Sequence, residues 1–340
     1  MKHLRISVAL CSYNGERFLE EQLNSIACQT CLPDELIICD DGSTDRTTDI
    51  VRAFADKSAF PVRFAINENK LGVVKNFERS IRLCSGDIIV LSDQDDIWMP
   101  AKLDEIKNKF LQDPNLYFVA SDALLVDERC NSLGYTVWQE NGFLGRIRDE
   151  FEIIYQLRTL LKIGSVTPGC TLAFSSRIPG WIFPLPGELK TGHHEDWIIL
   201  LLTVSGHKGF FIKDPLVQYR QHNLQTTGGI KIGVARIKKI FHSAPETFDQ
   251  IESLYVTALS RLESNKVCSD DVRRLMTGKI AHIKARRKIW HLPLYSRLPE
   301  ILNEIMLGRY SRFSLGCKSV IRDSLIYKDE IIIKPKKESS

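Results

Sequence analysis

The 340-residue sequence predicts an α/β fold, a mostly parallel sheet with helices on both faces, followed by a basic helical region. Three observations lead there. Short apolar runs such as Ile88–Leu91 suit strands buried on both faces. Apolar stripes at helical spacing separate the runs, as in parallel crossover units. Carboxylates and hydroxyls stand just after the runs, at the strand ends where open α/β sheets bind ligands.

Arg5–Cys11 is the first expected strand, broken by Ser12-Tyr13-Asn14-Gly15, and Phe18 to Cys28 carries a helical stripe. Glu35–Cys39 is a second strand ending in Asp40-Asp41-Gly42-Ser43-Thr44-Asp45. Gly42 permits a tight turn, and Ser43, Thr44 or Asp45 can cap a helix through Asp49–Ala55. Capping does not explain two adjacent acids at a strand end. Val62–Ile66 is a third strand, Asn67–Gly72 a loop, and Asn76–Cys84 a helix that leads by Ser85-Gly86-Asp87 into Ile88–Leu91. Ala101–Phe110 follows as a helix, Tyr117–Ser121 as a strand, Ser165–Phe174 as a loop entering a strand, Ile198–Val204 as a buried helix and Leu216-Val217 as strand-like. Ala244–Leu262 and Asp270–Trp290 read as helices, and Lys334–Ser340 as a disordered tail. Residues 1–230 are the expected catalytic domain and 231–340 the basic, mainly helical region.

Chemistry concentrates in Asp93-Gln94-Asp95-Asp96, directly after the apolar run. Side chains alternate along a strand, so Asp93 and Asp95 are expected to point the same way. Carboxylates converging there repel unless a cation sits between them, and Mg²⁺ or Mn²⁺ takes one or two carboxylates plus substrate phosphates. An Asp-x-Asp alone also occurs in plain acidic turns. Glu195 and Asp196 open the Ile198–Val204 helix, where the macrodipole stabilises acids and where a carboxylate can also act as a general base. Gly169 lets backbone approach a ligand closely. The fork of Arg220 suits phosphate oxygens, and His222 is either a structural histidine or a ligand. No Gly-x-Gly-x-x-Gly follows the first strand and no Gly-Lys-Ser/Thr occurs, which disfavours a dinucleotide oxidoreductase and a P-loop phosphotransferase.

Hydrophobic residues make up 44% and charged residues 26%, ordinary for a globular protein, and no apolar run approaches the ~20 residues of a membrane span. The N-terminus runs straight into a strand, so no signal peptide is expected. The nine cysteines are expected to be reduced, with Cys11, Cys28, Cys31 and Cys39 as small buried residues. Residues 231–340 hold 22 Lys+Arg against 12 Asp+Glu, a net of +10, which leaves −6 for the first 230. Lys284, Arg286, Arg287 and Lys288 sit together with Trp290 at their end. Such a helix lies on an anionic membrane surface, packs against the rest of the protein, or presents a solvated basic face.

Val8–Gly15, Cys39–Asp45 and Ser92–Trp98, in that order, resemble the family 2 glycosyltransferases, and most closely the rhamnosyltransferase-like branch that works on bacterial surface polysaccharides. The likeness covers roughly residues 4–225. It implies the GT-A nucleotide-diphospho-sugar fold and sugar transfer with inversion. It places Ser12 and Tyr13, with Asn14 beside them, at the donor base, and Asp41 in contact with that base. It makes Asp95 the metal ligand, puts Asp93 nearer the ribose or the metal's waters, and sets Gly169 beside the donor sugar and acceptor. It assigns the base to Asp196, with Glu195 as competitor, sets Arg220 against the diphosphate and lets His222 reach the metal or diphosphate. The implied cofactor is Mg²⁺ or Mn²⁺, and the implied partners are a nucleotide-diphospho-sugar and a saccharide or lipid-linked acceptor. No nucleic-acid partner is expected. The expected location is the cytoplasm, with peripheral contact at the inner face of the membrane through the basic region. Two rival readings are a nucleotidyltransferase and a catalytically inactive carbohydrate- or polyanion-binding protein.

Overall fold

A computed structural model describes residues 3–143, 153–163, 167–187, 194–223 and 246–325. The chain divides into two compact units: Met1–Leu160 with Gly164–Gly229, and Leu161–Ile163 with Ile230–Ser340. The first unit runs β1 (Ile6–Ser12), α1 (Leu19–Ala27), β2 (Glu35–Asp40), α2 (Thr47–Ala55), β3 (Val62–Ile66), α3 (Val73–Leu83) and β4 (Ile88–Ser92). It continues with β5 (Ile97–Trp98), α4 (Lys102–Gln112), β6 (Leu116–Val126), β7 (Ser132–Thr136), α5 (Val137–Asn141), α6 (Ile153–Ile163), β8 (Leu172–Ser175), α7 (His194–Val204) and β9 (Lys208–Arg220). The last three residues of α6 group with the second unit.

One sheet has the order β3-β2-β1-β4-β8-β6-β9-β5, with β7 paired to β6. Its first four strands are parallel, and every residue of β1 and β4 is buried, as strands covered on both faces require. Beyond β4 the sheet is mixed. β8 runs antiparallel to both β4 and β6, while β6 and β9 are parallel. β5 follows β4 after a short turn that leaves no room for a crossover helix, and it pairs antiparallel with β9 instead, Ile97 opposite Gln218 and Trp98 opposite Val217. That pairing carries the end of β9 to the Asp93–Asp96 turn.

β6 and β9 span 11 and 13 residues, far longer than the apolar segments that signal them. Ser121 and Asp122 interrupt the apolar pattern of β6, and Pro215 interrupts that of β9. The ladder shifts register there and continues. Cys11 and Cys39 are buried as expected, but Cys28 is exposed and Cys31 half-buried. Cys28 follows the last residue of α1, where the helix has run out of its buried face.

The second unit is helical: α8 (Glu246–Ser264), α9 (Asp270–His291), α10 (Leu294–Met306), α11 (Arg309–Phe313) and α12 (Cys317–Leu325). Here the basic cluster of α9 finds acidic partners within the unit. Lys284 pairs with Glu252, Arg286 with Asp323, Arg287 with Asp249 and Glu252, and Lys288 with Glu300, while Trp290 is buried. Acids on neighbouring helices pair with the cluster, while Lys284 and Lys288 stay exposed. No helix among the described residues is long and apolar enough to cross a membrane.

Asp323 is the polar centre of this unit. Fully buried, it accepts from Arg286 Nε and Nη2 (2.7 and 2.8 Å), Trp290 Nε1 (2.7 Å) and Tyr310 Oη (2.8 Å). Asp323→Ala strands these donors and is expected to cost about 3–5 kcal/mol, read as a lower urea midpoint for loss of helical circular dichroism.

Candidate active site

The carboxyl ends of β1 and β2 form a tightly bonded pair of loops. Asp40 accepts from Ser12 Oγ (2.8 Å), Ser43 Oγ (2.5 Å) and the backbone N–H groups of Gly42 and Ser43 (3.1 and 2.7 Å). Asp41 accepts from Asn67 Nδ2 and the backbone N–H of Leu71 at 2.7 Å each, and from that of Gly72 at 2.8 Å. Both acids are buried, so the structure engages Ser12 and Asp41 in bracing these loops. Beneath them, Asn76 joins Asn67 to the Cys39 carbonyl, a buried polar link that the apolar stripe of α3 does not reveal. Asn14 holds a left-handed φ of 46° and bridges to the other loop through Thr44 N–H (2.9 Å) and Ser43 Oγ (2.8 Å). Tyr13 leaves its ring exposed, with Lys70 Nζ 3.6 Å from the ring centre.

Gln94 ties these loops to the acidic turn. Its side-chain amide accepts from Tyr13 N–H (2.9 Å) and donates to Tyr13 O (3.1 Å), copying a strand pairing. Gly15 makes room for it, since a Cβ there would lie 2.3 Å from Gln94 Oε1.

β4 ends at Ser92, so Asp93–Asp96 form a bend rather than a continuing strand. Asp93 groups instead with Asp96 and the Cys170 thiol, their ligand atoms all within 4.8 Å of one another. Asp95 Oδ2 pairs with His222 Nε2 at 2.8 Å. Burial, then repulsion from Asp95, pushes the Asp93 carboxyl up to about 7. Burial, then Asp95 and Asp93, likewise raises Asp96. Asp96 Oδ1 accepts from Arg220 N–H at 3.1 Å, while Oδ2 finds no N–H or O–H donor among the described residues.

These acids are short of positive charge, and their oxygens suit a hard divalent cation. The Cys170 thiol suits one poorly, because burial and then Asp96 raise its pKa and keep its proton on. Arg220, expected at the diphosphate, is buried and turned inward. Its Nε donates to Asp95 O (2.8 Å), Nη1 to Glu128 O (2.7 Å) and Nη2 to Glu21.

The sequence reading overlooked Lys102. It is fully buried, lies 3.7 Å from the centre of the Trp98 ring and donates to Cys170 O, beside the fields of Asp96 and Asp93. Burial pulls it down to about 7, against the pull of Cys170 and of those acids. Only its place at the start of a helix shortly after four charged or amide residues hinted at it. Gly169 opens a buried 3-10 turn, Gly169–Thr171, where a Cβ would sit 3.2 Å from His194 Nε2 and 3.8 Å from Asp93 Oδ2. The first turn of α7 thereby approaches the acidic bend. His194 stacks on Phe77 at 4.1 Å. Glu195 is buried, and burial, then Asp196 and Asp93, raise its pKa, while Asp196 is half-buried. Ser165, Val166 and His193, the boundary at residue 230 and the tail Lys334–Ser340 lie outside the described residues.

A profile described as glycosyl transferase family 2 matches residues 7–174. Through that segment the chain belongs to the family. The dTDP-rhamnosyl transferase RfbG of Shigella flexneri is 26% identical over 246 residues, 68% of this chain and 78% of its own. Two other glycosyltransferases, 31% identical, match over only 33% and 44% of their own length, so the chain spans less than half of each. Residues 1–349 of S. aureus TarS, in complex with UDP, superpose with a TM-score of 0.55 at 14% identity, covering 94% of this chain and 89% of that one. The mannosyltransferase PcManGT of Pyrobaculum calidifontis, in complex with GDP-Man and Mn²⁺, does so with 0.53 at 15%, covering 95% and 87%. The first unit has the GT-A fold, and the helical second unit follows it in the chain.

A carboxyl whose pKa is higher folded than unfolded binds its proton more tightly in the fold. Asp93 therefore costs stability as pH rises from about 4 to about 7, and the whole cost persists above that interval. In EDTA at pH 8, Asp93→Asn is expected to be more stable than the parent by about 1–2 kcal/mol, and the gap should close toward pH 4 in thermal melts. Gly15→Ala is expected to displace Gln94 and weaken nucleotide binding about tenfold in calorimetric titration, with the fold retained.

Proposed function

We propose that this chain is an inverting, metal-dependent glycosyltransferase. It moves a sugar from a nucleotide-diphospho-sugar to a hydroxyl of a saccharide or lipid-linked acceptor in surface polysaccharide synthesis. The observation that carries the reading is the meeting, beyond the end of β4, of the Asp93–Asp96 bend, the Gly169 turn and the acidic first turn of α7. The likeness to RfbG makes dTDP-rhamnose the first donor to try, and the Mn²⁺ complex of PcManGT makes Mn²⁺ the first ion.

Asp95 and Asp93 are the residues to hold Mg²⁺ or Mn²⁺, with Asp96 behind them. When bound, the ion supplies positive charge against that building up on the leaving diphosphate. His222 orients Asp95 through their hydrogen bond. Arg220 is a positioning residue that fastens the bend to α1 and to the loop after β6 through Glu21 and Glu128. The exposed Tyr13 ring offers a platform for the donor base, within loops shaped by Ser12, Asn14 and Asp41. Gly169 leaves space beside the sugar. Asp196, less buried than Glu195, takes the acceptor proton, and Glu195 supports it from the interior. A single displacement opposite the leaving diphosphate inverts the anomeric centre and needs no carboxylate nucleophile.

The test is a panel of dTDP-, UDP- and GDP-sugars with Mn²⁺, Mg²⁺ or EDTA and an acceptor mixture, following release of nucleoside diphosphate. One donor should turn over only with metal. Asp196→Asn should lower kcat by about 10²–10⁴-fold with donor affinity nearly unchanged, while Asp95→Ala should lose metal-dependent donor binding. Pyrophosphate release would point to a nucleotidyltransferase, and failure of every donor to bind would point to a carbohydrate- or polyanion-binding protein.

A further inference from the structure

Helix α10 is inside out. Its outward face carries Tyr295 (88% exposed), Leu298 (61%), Leu302, Ile305 and Met306 (80%), three or four residues apart and so on one side of the helix. Its three charged residues do not share that face. Arg297, 1% exposed, donates to the carbonyls of Leu292, Asp323 and Trp290 at 2.9, 2.9 and 3.2 Å. Glu304, 2% exposed, accepts from Arg309 and pairs with His282, and Glu300 pairs with Lys288. The buried polar side fixes the helix's rotation, because turning the apolar face inward would strand a guanidinium and a carboxylate. The apolar face is therefore held outward by the fold.

Among the described residues of α10–α12, the fully exposed charges have one sign. Within α10–α12 the only acids are Glu300, Glu304 and Asp323, and all three are ion-paired inside the unit. The exposed ionic groups there are cations, Arg312 and Lys318. Lys318 shares one side of α12 with the exposed Ile321 and Leu325. Contiguous exposed apolar surface marks an interaction site, and an apolar face bordered by cations without acids complements an anionic lipid surface. A second copy of the same face would set cation against cation.

We propose that the outward face of α10, with Arg312, Lys318 and the outer side of α12, docks this protein onto an anionic membrane surface, lying on it rather than crossing it. This inference does not rest on the transferase reading. It also replaces the paired basic cluster of α9 with a different helix as the contact.

The experiment is flotation of the full chain with vesicles of phosphatidylcholine alone or with added phosphatidylglycerol, at low and high salt, alongside sedimentation without lipid. The parent should float with the anionic vesicles and be released by salt. The triple variant Tyr295→Ser, Leu298→Ser, Met306→Ser should bind at least about tenfold more weakly with an unchanged melting temperature. Arg312→Gln and Lys318→Gln should each weaken binding by about fivefold. A parent that stays in solution with every vesicle, or one that is a dimer without lipid and becomes monomeric in the triple variant, would overturn the proposal.

Discussion

Three carboxylates within four residues, Asp96 buried and Asp93 and Asp95 half-buried, repel one another at the end of a strand buried on both faces. The surrounding structure works to contain that repulsion without cancelling it. Arg220 donates its backbone N–H to Asp96 and its Nε to the Asp95 carbonyl, His222 holds Asp95, and Lys102 supplies an internal cation beside Asp93 and Asp96. What is left over is a negative field at one edge of the sheet, with an acid oxygen that no N–H or O–H donor in the described residues satisfies. Such a field costs stability unless a cation offsets it.

Rigidity around the field comes from short polar contacts rather than from apolar packing. Asp40 and Asp41 spend their oxygens on backbone N–H groups, so the loops after β2 and β3 are held as firmly as a cap holds a helix. Gln94 reaches across to Tyr13, and Gly15 is the residue that lets it. Loops fixed in this manner keep a bound ligand's groups in place without reordering on binding.

The second unit uses charge in the opposite way. Its cations on α9 meet acids from α8, α10 and α12, and Asp323 gathers four hydrogen bonds in the interior. With Arg297 and Glu304 turned inward, α10 leaves mainly apolar and aromatic side chains for its outer surface. The two ends of the chain thus reverse the ordinary rule, one concentrating charge in a buried place and the other exposing what is normally hidden.

Strand and helix placement was legible because periodicity is local. Val62–Ile66 matches β3 residue for residue, and the buried strand before Asp93 ends within a residue of its expected end. The acids and glycines of the three motifs were legible for the same reason, being chemistry written at strand ends. Burial of a polar residue was not: Lys102 and Asn76 look like ordinary surface residues, and Arg220 like a phosphate ligand, until their partners are known. Nor was the fate of the α9 cations, since the acids that neutralise them come from other helices. The sequence by itself determined the first seven elements from β1 to β4, the α/β class and the acidic strand end, all of which depend on residues within one or two turns of each other. Only the tertiary structure decided that β5 pairs with β9, that His222 meets Asp95 across 127 residues of chain, and that α10 faces outward. Those outcomes depend on which distant segments share a boundary, and desolvation and charge pairing act there without leaving a trace in local order.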